Sequence, residues 1–368
     1  MHATMERRGE PGWYAAPAFR AGNRFTPIEL NCDWHGNAGS GSGVPGYYVD
    51  TSPAGPAVVY LRGAVRQGPR RGPNPMLIGI LPPDARPDRS VYELVHTFNG
   101  TYAGVEIDRF GNIYLIDARS PAVRDLSFVS LEGISFQRLI SRANVAVPVN
   151  NAEWSGKNGS DAAAPSAWRD GSGVVHLQGA VTQTSGDGPG ADLIGTVPEV
   201  LRPSRNVFTI AHSYAGTYAD LVISASTGQI ILIGARGPAA ADGRLVSLEG
   251  ITFTDNADFP ITVNTADYSA STVFNTFAPS AHVDGGGSVH LAGAVTRISG
   301  TGPGGRLVGT VPEAARPRRD VYQLVHTNSG TYAGVVITSA GHIAVVGPRP
   351  PMVTDLSFVS LEGISYQP

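Results

Sequence analysis

The chain has 368 residues, 42% hydrophobic and 15% charged, which excludes a disordered protein and exceeds the size at which a single core usually stops growing. A formal charge of −3, with arginines densest only at Arg7-Arg8 and from Arg66 to Arg71, excludes a nucleic-acid footprint. The single cysteine, Cys32, excludes an intrachain disulfide, and no apolar run reaches the roughly 18 residues needed for membrane insertion.

Residues 1–27 stand apart from the rest of the chain. Met1 to Glu10 is polar and lacks the apolar stretch of a secretory signal, so synthesis in the cytoplasm is expected. Pro11, Trp13-Tyr14 and Pro17 leave two expectations open: an extended N-terminal arm that docks onto a partner, or a disordered terminus.

From residue 28 onward one pattern occurs three times. An aromatic opens each copy, at Trp34, Trp154 and Tyr268, and a polar lead-in runs through Pro45, Pro165 and Pro279 to Asp50, Asp170 and Asp284. A strand-like run comes next, from Val58 to Val65, from Val174 to Val181 and from Ser288 to Val295. After a Gly-rich loop come Arg86-Pro87, Arg202-Pro203 and Arg316-Pro317. Gly-Thr-Tyr-Ala recurs at Gly100–Ala103, Gly216–Ala219 and Gly330–Ala333, and each copy closes on Ser-Leu-Glu-Gly-Ile at Ser130–Ile134, Ser247–Ile251 and Ser360–Ile364. From the strand-like run onward the copies are spaced 113 to 117 residues apart, and 114 to 120 in the lead-in, which defines modules at 28–144, 145–259 and 260–368.

Within each copy the apolar period is two, so the runs read as strands, and turn residues separate them. Val175, Leu177 and Val181 face a core, which aims His176 and His290 outward. Val91–His96 and Thr101–Ile107 form a hairpin about Phe98-Asn99-Gly100; Ala103, Val105 and Ile107 face the core and Tyr102 the other way. A closing strand is expected from Leu126 to Phe136. The fold class is therefore all-β: three tandem β-sandwich or small-barrel modules behind a short N-terminal arm.

Three motifs invite a chemical reading. Gly300–Gly305 satisfies Gly-x-Gly-x-x-Gly, but Leu307–Val311 after it reads as a strand, whereas a dinucleotide site needs a helix. His96, His212 and His326 recur singly, too few per module for a metal site unless the modules surround a common axis. Glu132, Glu249 and Glu362 recur without a second recurring carboxylate, which glycoside hydrolysis would require. No catalytic residue and no cofactor is expected. Flat aromatic faces are the better candidates for binding a sugar. Tyr102, Tyr218 and Tyr332 lie off the core face, where packing between modules or subunits is expected ahead of ligand contact, and Tyr48, Trp168 and His282 occupy a lead-in position that differs between copies.

With these residues laid out, the module resembles a domain common at the C-terminal ends of bacteriophage tail-fibre and receptor-binding proteins. The shared features are the aromatic lead-in, the strand Gly173–Gly179, the segments Leu81-Pro82, Val197-Pro198 and Val311-Pro312, the Arg-Pro pairs, and the closing runs Leu131–Phe136, Leu248–Phe253 and Leu361–Tyr366. The resemblance implies small, often trimeric β-sandwiches carried on the virion and recognising host cell-surface polysaccharide. It implies attachment to other virion structural proteins, here through residues 1–27. It leaves two assemblies open: a monomeric pseudo-trimer built from one chain, or a homotrimer. A capsid decoration, head fibre or tail ornament without a ligand is the competing expectation.

Overall fold

The computed structural model describes residues 25–368 apart from 38–40, 52–55, 69–75, 117–125, 142–143, 157–160, 185–191, 214–216, 234–244, 272, 299–305, 329–330 and 347–355. The arm up to residue 24 and the Gly-x-Gly-x-x-Gly segment therefore lie outside the described residues.

The first module contains β1 (Thr26–Pro27), β2 (Glu29–Leu30), β3 (Trp34–Gly36), β4 (Gly46–Asp50), β5 (Val58–Arg62), β6 (Ala64–Gln67), β7 (Leu77–Ile80), β8 (Val91–Thr97), β9 (Thr101–Ile107), β10 (Asn112–Ile116), β11 (Val129–Ser130) and β12 (Ser135–Gln137). They form a four-stranded sheet, β1-β4-β5-β12, and an eight-stranded sheet, β2-β7-β10-β9-β8-β11-β6-β3, with every named pairing antiparallel. The third module repeats this plan, and the second differs in having seven strands in the larger sheet. Three separate cores result, drawn from Ile28 to Phe136, Val147 to Phe253 and Ile261 to Tyr366. Each opening aromatic, Trp34, Trp154 or Tyr268, is buried in its own core. The first module begins slightly earlier than its repeat suggests, because Thr26–Pro27 already pairs with β4. No helix among the described residues is long and apolar enough to cross a membrane.

Two runs expected to be single strands are each broken in two. The run from Val58 to Val65 leaves the small sheet at Gly63 and enters the large one as β6. The closing run crosses back between β11 and β12. These paired crossings join the two sheets of a module at a corner, giving a barrel-like wrap. Gly63, Gly179 and Gly293 turn the first crossing with φ of 83°, 87° and 87°. A Cβ on Gly179 would lie 2.5 Å from the Ala164 carbonyl oxygen, so only glycine fits.

The recurrent Ser-Leu-Glu-Gly-Ile motif fastens the two crossings together. Leu131, Leu248 and Leu361 donate their amides to the carbonyls of Gly63, Gly179 and Gly293 at 2.8 Å. The glycine amides in turn donate to Glu132, Glu249 and Glu362 Oε1 at 2.7, 2.8 and 2.7 Å. The recurring glutamate is thus a backbone clamp.

A glycine series tests this corner. Gly285→Ala, at a position with open space around it, is expected to stay within about 1 kcal/mol of the parent. Gly287→Ala, also in open space but at φ 86°, should cost about 1–2 kcal/mol for left-handed backbone alone. Gly179→Ala adds a clash with backbone to the same strain and should cost about 3 kcal/mol in chemical denaturation.

Candidate functional site

The three modules close on one another in cyclic order. His96 of module 1 packs on Tyr322 of module 3, with ring centroids 5.5 Å apart. His212 of module 2 packs on Tyr92 of module 1 at 5.7 Å, and His326 of module 3 on Phe208 of module 2 at 5.5 Å. Serine hydroxyls bond backbone carbonyls across two of these interfaces. Ser130 Oγ donates to the Tyr322 carbonyl at 2.8 Å and Ser360 Oγ to the Phe208 carbonyl at 2.7 Å. At the rim, Arg89 meets Asp161 at 2.8 Å and Arg205 donates to Asn275 at 2.7 Å. Three copies joined this way form a ring of approximate threefold symmetry.

Alternation along β9 and its two counterparts sends Tyr102, Tyr218 and Tyr332 off their own cores and toward the centre of this ring. Their centroids are 5.4, 4.9 and 5.0 Å apart, with interplanar angles of 81°, 87° and 65°. These are edge-to-face contacts, in which the positive ring edge meets the negative ring face. Burial raises all three phenols, Tyr102 to about 12.

The histidines lie at the interfaces rather than in one shared cluster. Burial pushes His96 and His212 down to about 3, and neither ring nitrogen of either has a hydrogen-bond partner. His326 differs: its Nδ1 lies 2.9 Å from Asp220 Oδ1 of module 2. Asp220 stands where the other copies have Gly104 and Gly334, and Gly334 sits directly against His96. Burial raises the Asp220 carboxyl, opposed by the bond and charge of His326. One of the three interfaces therefore carries a polar pair that the other two lack.

A further inter-module contact region lies on the small sheets. Tyr48 stacks on Tyr60 with centroids 4.9 Å apart, and Trp168 stacks on His176 at 4.8 Å, both within 7° of parallel. His282 and His290 are cross-strand partners, and the His176 and His290 rings are 6.4 Å apart. Asp170 and Asp284 lie 3.0 Å from His176 and His290 Nε2, while Asp258 lies 2.7 Å from His282 Nδ1. Burial alone would raise Asp170 and Asp284, yet the bond and charge of their histidines hold both below the usual carboxylate range. Tyr48 Oη is 3.1 Å from Ser288 Oγ, and Gln367 Nε2 donates to both hydroxyls. The end of module 3 is thereby stitched to module 1.

The six aromatic or imidazole side chains singled out in the sequence consequently sit inside the ring. Tyr48, Trp168, His282, Tyr102 and Tyr332 are buried and Tyr218 is half-buried. The rings of Tyr48 and Trp168 and of the three central tyrosines are engaged with other rings. His176 and His290 do point away from their own cores, but packing within the ring buries them, so outward does not mean exposed. Two functional-looking positions escape sequence reasoning because they do not recur: Asp220, and Glu93, whose counterparts are Thr209 and Gln323.

Between the modules lies a polar cavity of about 60 Å³, lined among others by Glu93, Glu132, Glu249, Glu362, His96 and His212. Among the described residues, no group of three or more His, Cys, Asp or Glu is placed to hold a metal ion. No family model, no curated protein and no solved structure matches this chain.

Proposed function

We propose that the chain is a non-catalytic binding head of a virion, carried on residues 1–27, that attaches to host cell-surface polysaccharide without cleaving it. The observation that supports this reading is the cyclic order of the inter-module contacts. One chain reproduces the threefold head that single-module fibre proteins would need three chains to build. Any polysaccharide then meets the outer surface, where Phe110 is 57% exposed with the Arg109 guanidinium 4.9 Å from its ring centroid. An exposed aromatic beside a polar group suits stacking on sugar C–H faces. A second reading, a ligand-free capsid or tail ornament, draws on the burial of the Tyr48, Trp168 and central tyrosine rings.

One measurement tests the assembly and a second decides between the two readings. Mass in solution near the chain mass of 38.4 kDa is expected for a covalent pseudo-trimer, and three times that mass would indicate a homotrimer. Adsorption of purified protein to bacterial cells, competed by their surface polysaccharide and with no release of reducing sugar, is the expected result. No adsorption would favour the ornament, and sugar release would overturn the non-catalytic assignment.

A further inference from the structure

We infer that Glu93 and Glu249 form a proton-binding site at the interface of modules 1 and 2, and that the ring opens there when the pair loses its proton. The inference is independent of whether the protein binds a polysaccharide.

Glu93 lies on β8 of module 1 and is 7% exposed; Glu249 lies in the closing turn of module 2 and is 9% exposed. Glu93 Oε2 comes within 2.5 Å of where a Cβ on Gly250 would stand, so its carboxyl packs on the backbone adjoining Glu249. Each carboxyl has one anchoring donor: Ser135 N–H to Glu93 Oε1 at 3.2 Å, and Gly179 N–H to Glu249 Oε1 at 2.8 Å. Neither anchor is charged.

Among the described residues, the groups around the pair supply no cation, and the cavity lining contains no lysine or arginine. His212, from the second module's hairpin, packs on Tyr92, and burial keeps its ring neutral. Tyr92 donates to Glu106 at 3.0 Å, which adds a further carboxylate nearby. Elsewhere in the cavity, burial raises Glu132 to about 7 against the opposing charges of Arg62 and Arg319 and raises Glu362 to about 8, while His96 is neutral and one buried Glu362 oxygen is without a partner. Two adjacent carboxylates without a counter-ion cannot both ionise in such a place.

The other two interfaces place neutral residues here. Thr209 lies against Gly363, next to Glu362, and Gln323 lies against Gly133, next to Glu132. Gln323 also spans the backbone of Ser365, donating to its carbonyl at 2.5 Å and accepting from its amide at 3.3 Å. A glutamine in this setting is therefore already part of the fold. The unusual residue is Glu93.

The direction of the pH effect is set by proton retention. Burial raises Glu249 to about 8, and burial together with the Glu249 charge raises Glu93 well above the ordinary carboxyl range. An opened interface returns both to the ordinary carboxyl range. Closure is thus firmest in mild acid and weakens as pH rises toward about 8, by a factor of about ten per pH unit for each proton the closed form retains. Above the closed-form value the loss levels off.

The test uses the full chain. Hydrogen exchange of residues 91–97 and 247–251, corrected for intrinsic rate, is followed from pH 5 to 9 in the parent and in Glu93→Gln. The parent should lose protection steadily through this range, and the variant should lose about tenfold less per pH unit. The Glu362 contact of Thr209 with module 3 should respond to pH equally in both proteins. Infrared difference spectroscopy of the parent against Glu93→Gln should show a protonated carboxyl band at neutral pH that is lost with Glu93, beyond any band contributed by Glu132 and Glu362. Protection independent of pH, an identical slope in Glu93→Gln, or absence of the protonated band would each overturn the proposal.

Discussion

Replacing Tyr102 with alanine is expected to destabilise the chain by about 3–5 kcal/mol and to uncouple the modules. Tyr102 is 6% exposed and meets both other central tyrosines edge to face, so its removal leaves a void where all three modules converge. The three cores are drawn from separate stretches and do not depend on this contact. Strand content by circular dichroism should survive, while thermal unfolding should divide into more than one transition. Tyr102→Phe keeps the ring and should stay within about 1.5 kcal/mol. A single unshifted transition in Tyr102→Ala would show that the ring centre contributes no coupling.

The second large effect is expected at His326. His326→Leu strips Asp220 of its buried partner and should cost about 3–5 kcal/mol near neutral pH. The cost should shrink in acid, because a partnerless, buried carboxyl takes up a proton and the penalty for burying charge disappears. His96→Leu and His212→Leu should behave differently. Both histidines are buried with no partner on either ring nitrogen, so an apolar residue of similar volume relieves unsatisfied polar atoms. Those two variants should be neutral or slightly more stable in urea titrations. Equal losses at all three positions would show that the Asp220 contact contributes nothing beyond packing.

What was legible in the sequence was what is encoded locally. Alternation along Thr101–Ile107 placed Ala103, Val105 and Ile107 in the core and Tyr102 off it, because side-chain direction is set by backbone geometry within a few residues. The repeat delivered the three modules for the same reason: each copy carries its own turns and its own core. The strand breaks at Gly63 and Gly133 were hidden, since a crossing between sheets leaves the apolar pattern intact on both sides. So was the role of Glu132, which depends on an amide 69 residues away. The burial of Tyr48, Trp168 and His176 was illegible in a stronger sense. A residue facing away from its module can meet solvent, ligand or another module, and only the inter-module geometry distinguishes them.

Asp220 points to what covalent linkage makes possible. In a trimer of identical chains, a substitution at this position arrives three times at once, and an aspartate would face a histidine at each of the three interfaces. Here the same position holds glycine, aspartate and glycine in succession. Carrying the three modules on one chain lets each interface differ, so one holds a buried acid where the other two hold glycine. The chain can therefore acquire asymmetric contacts one residue at a time while keeping a threefold frame.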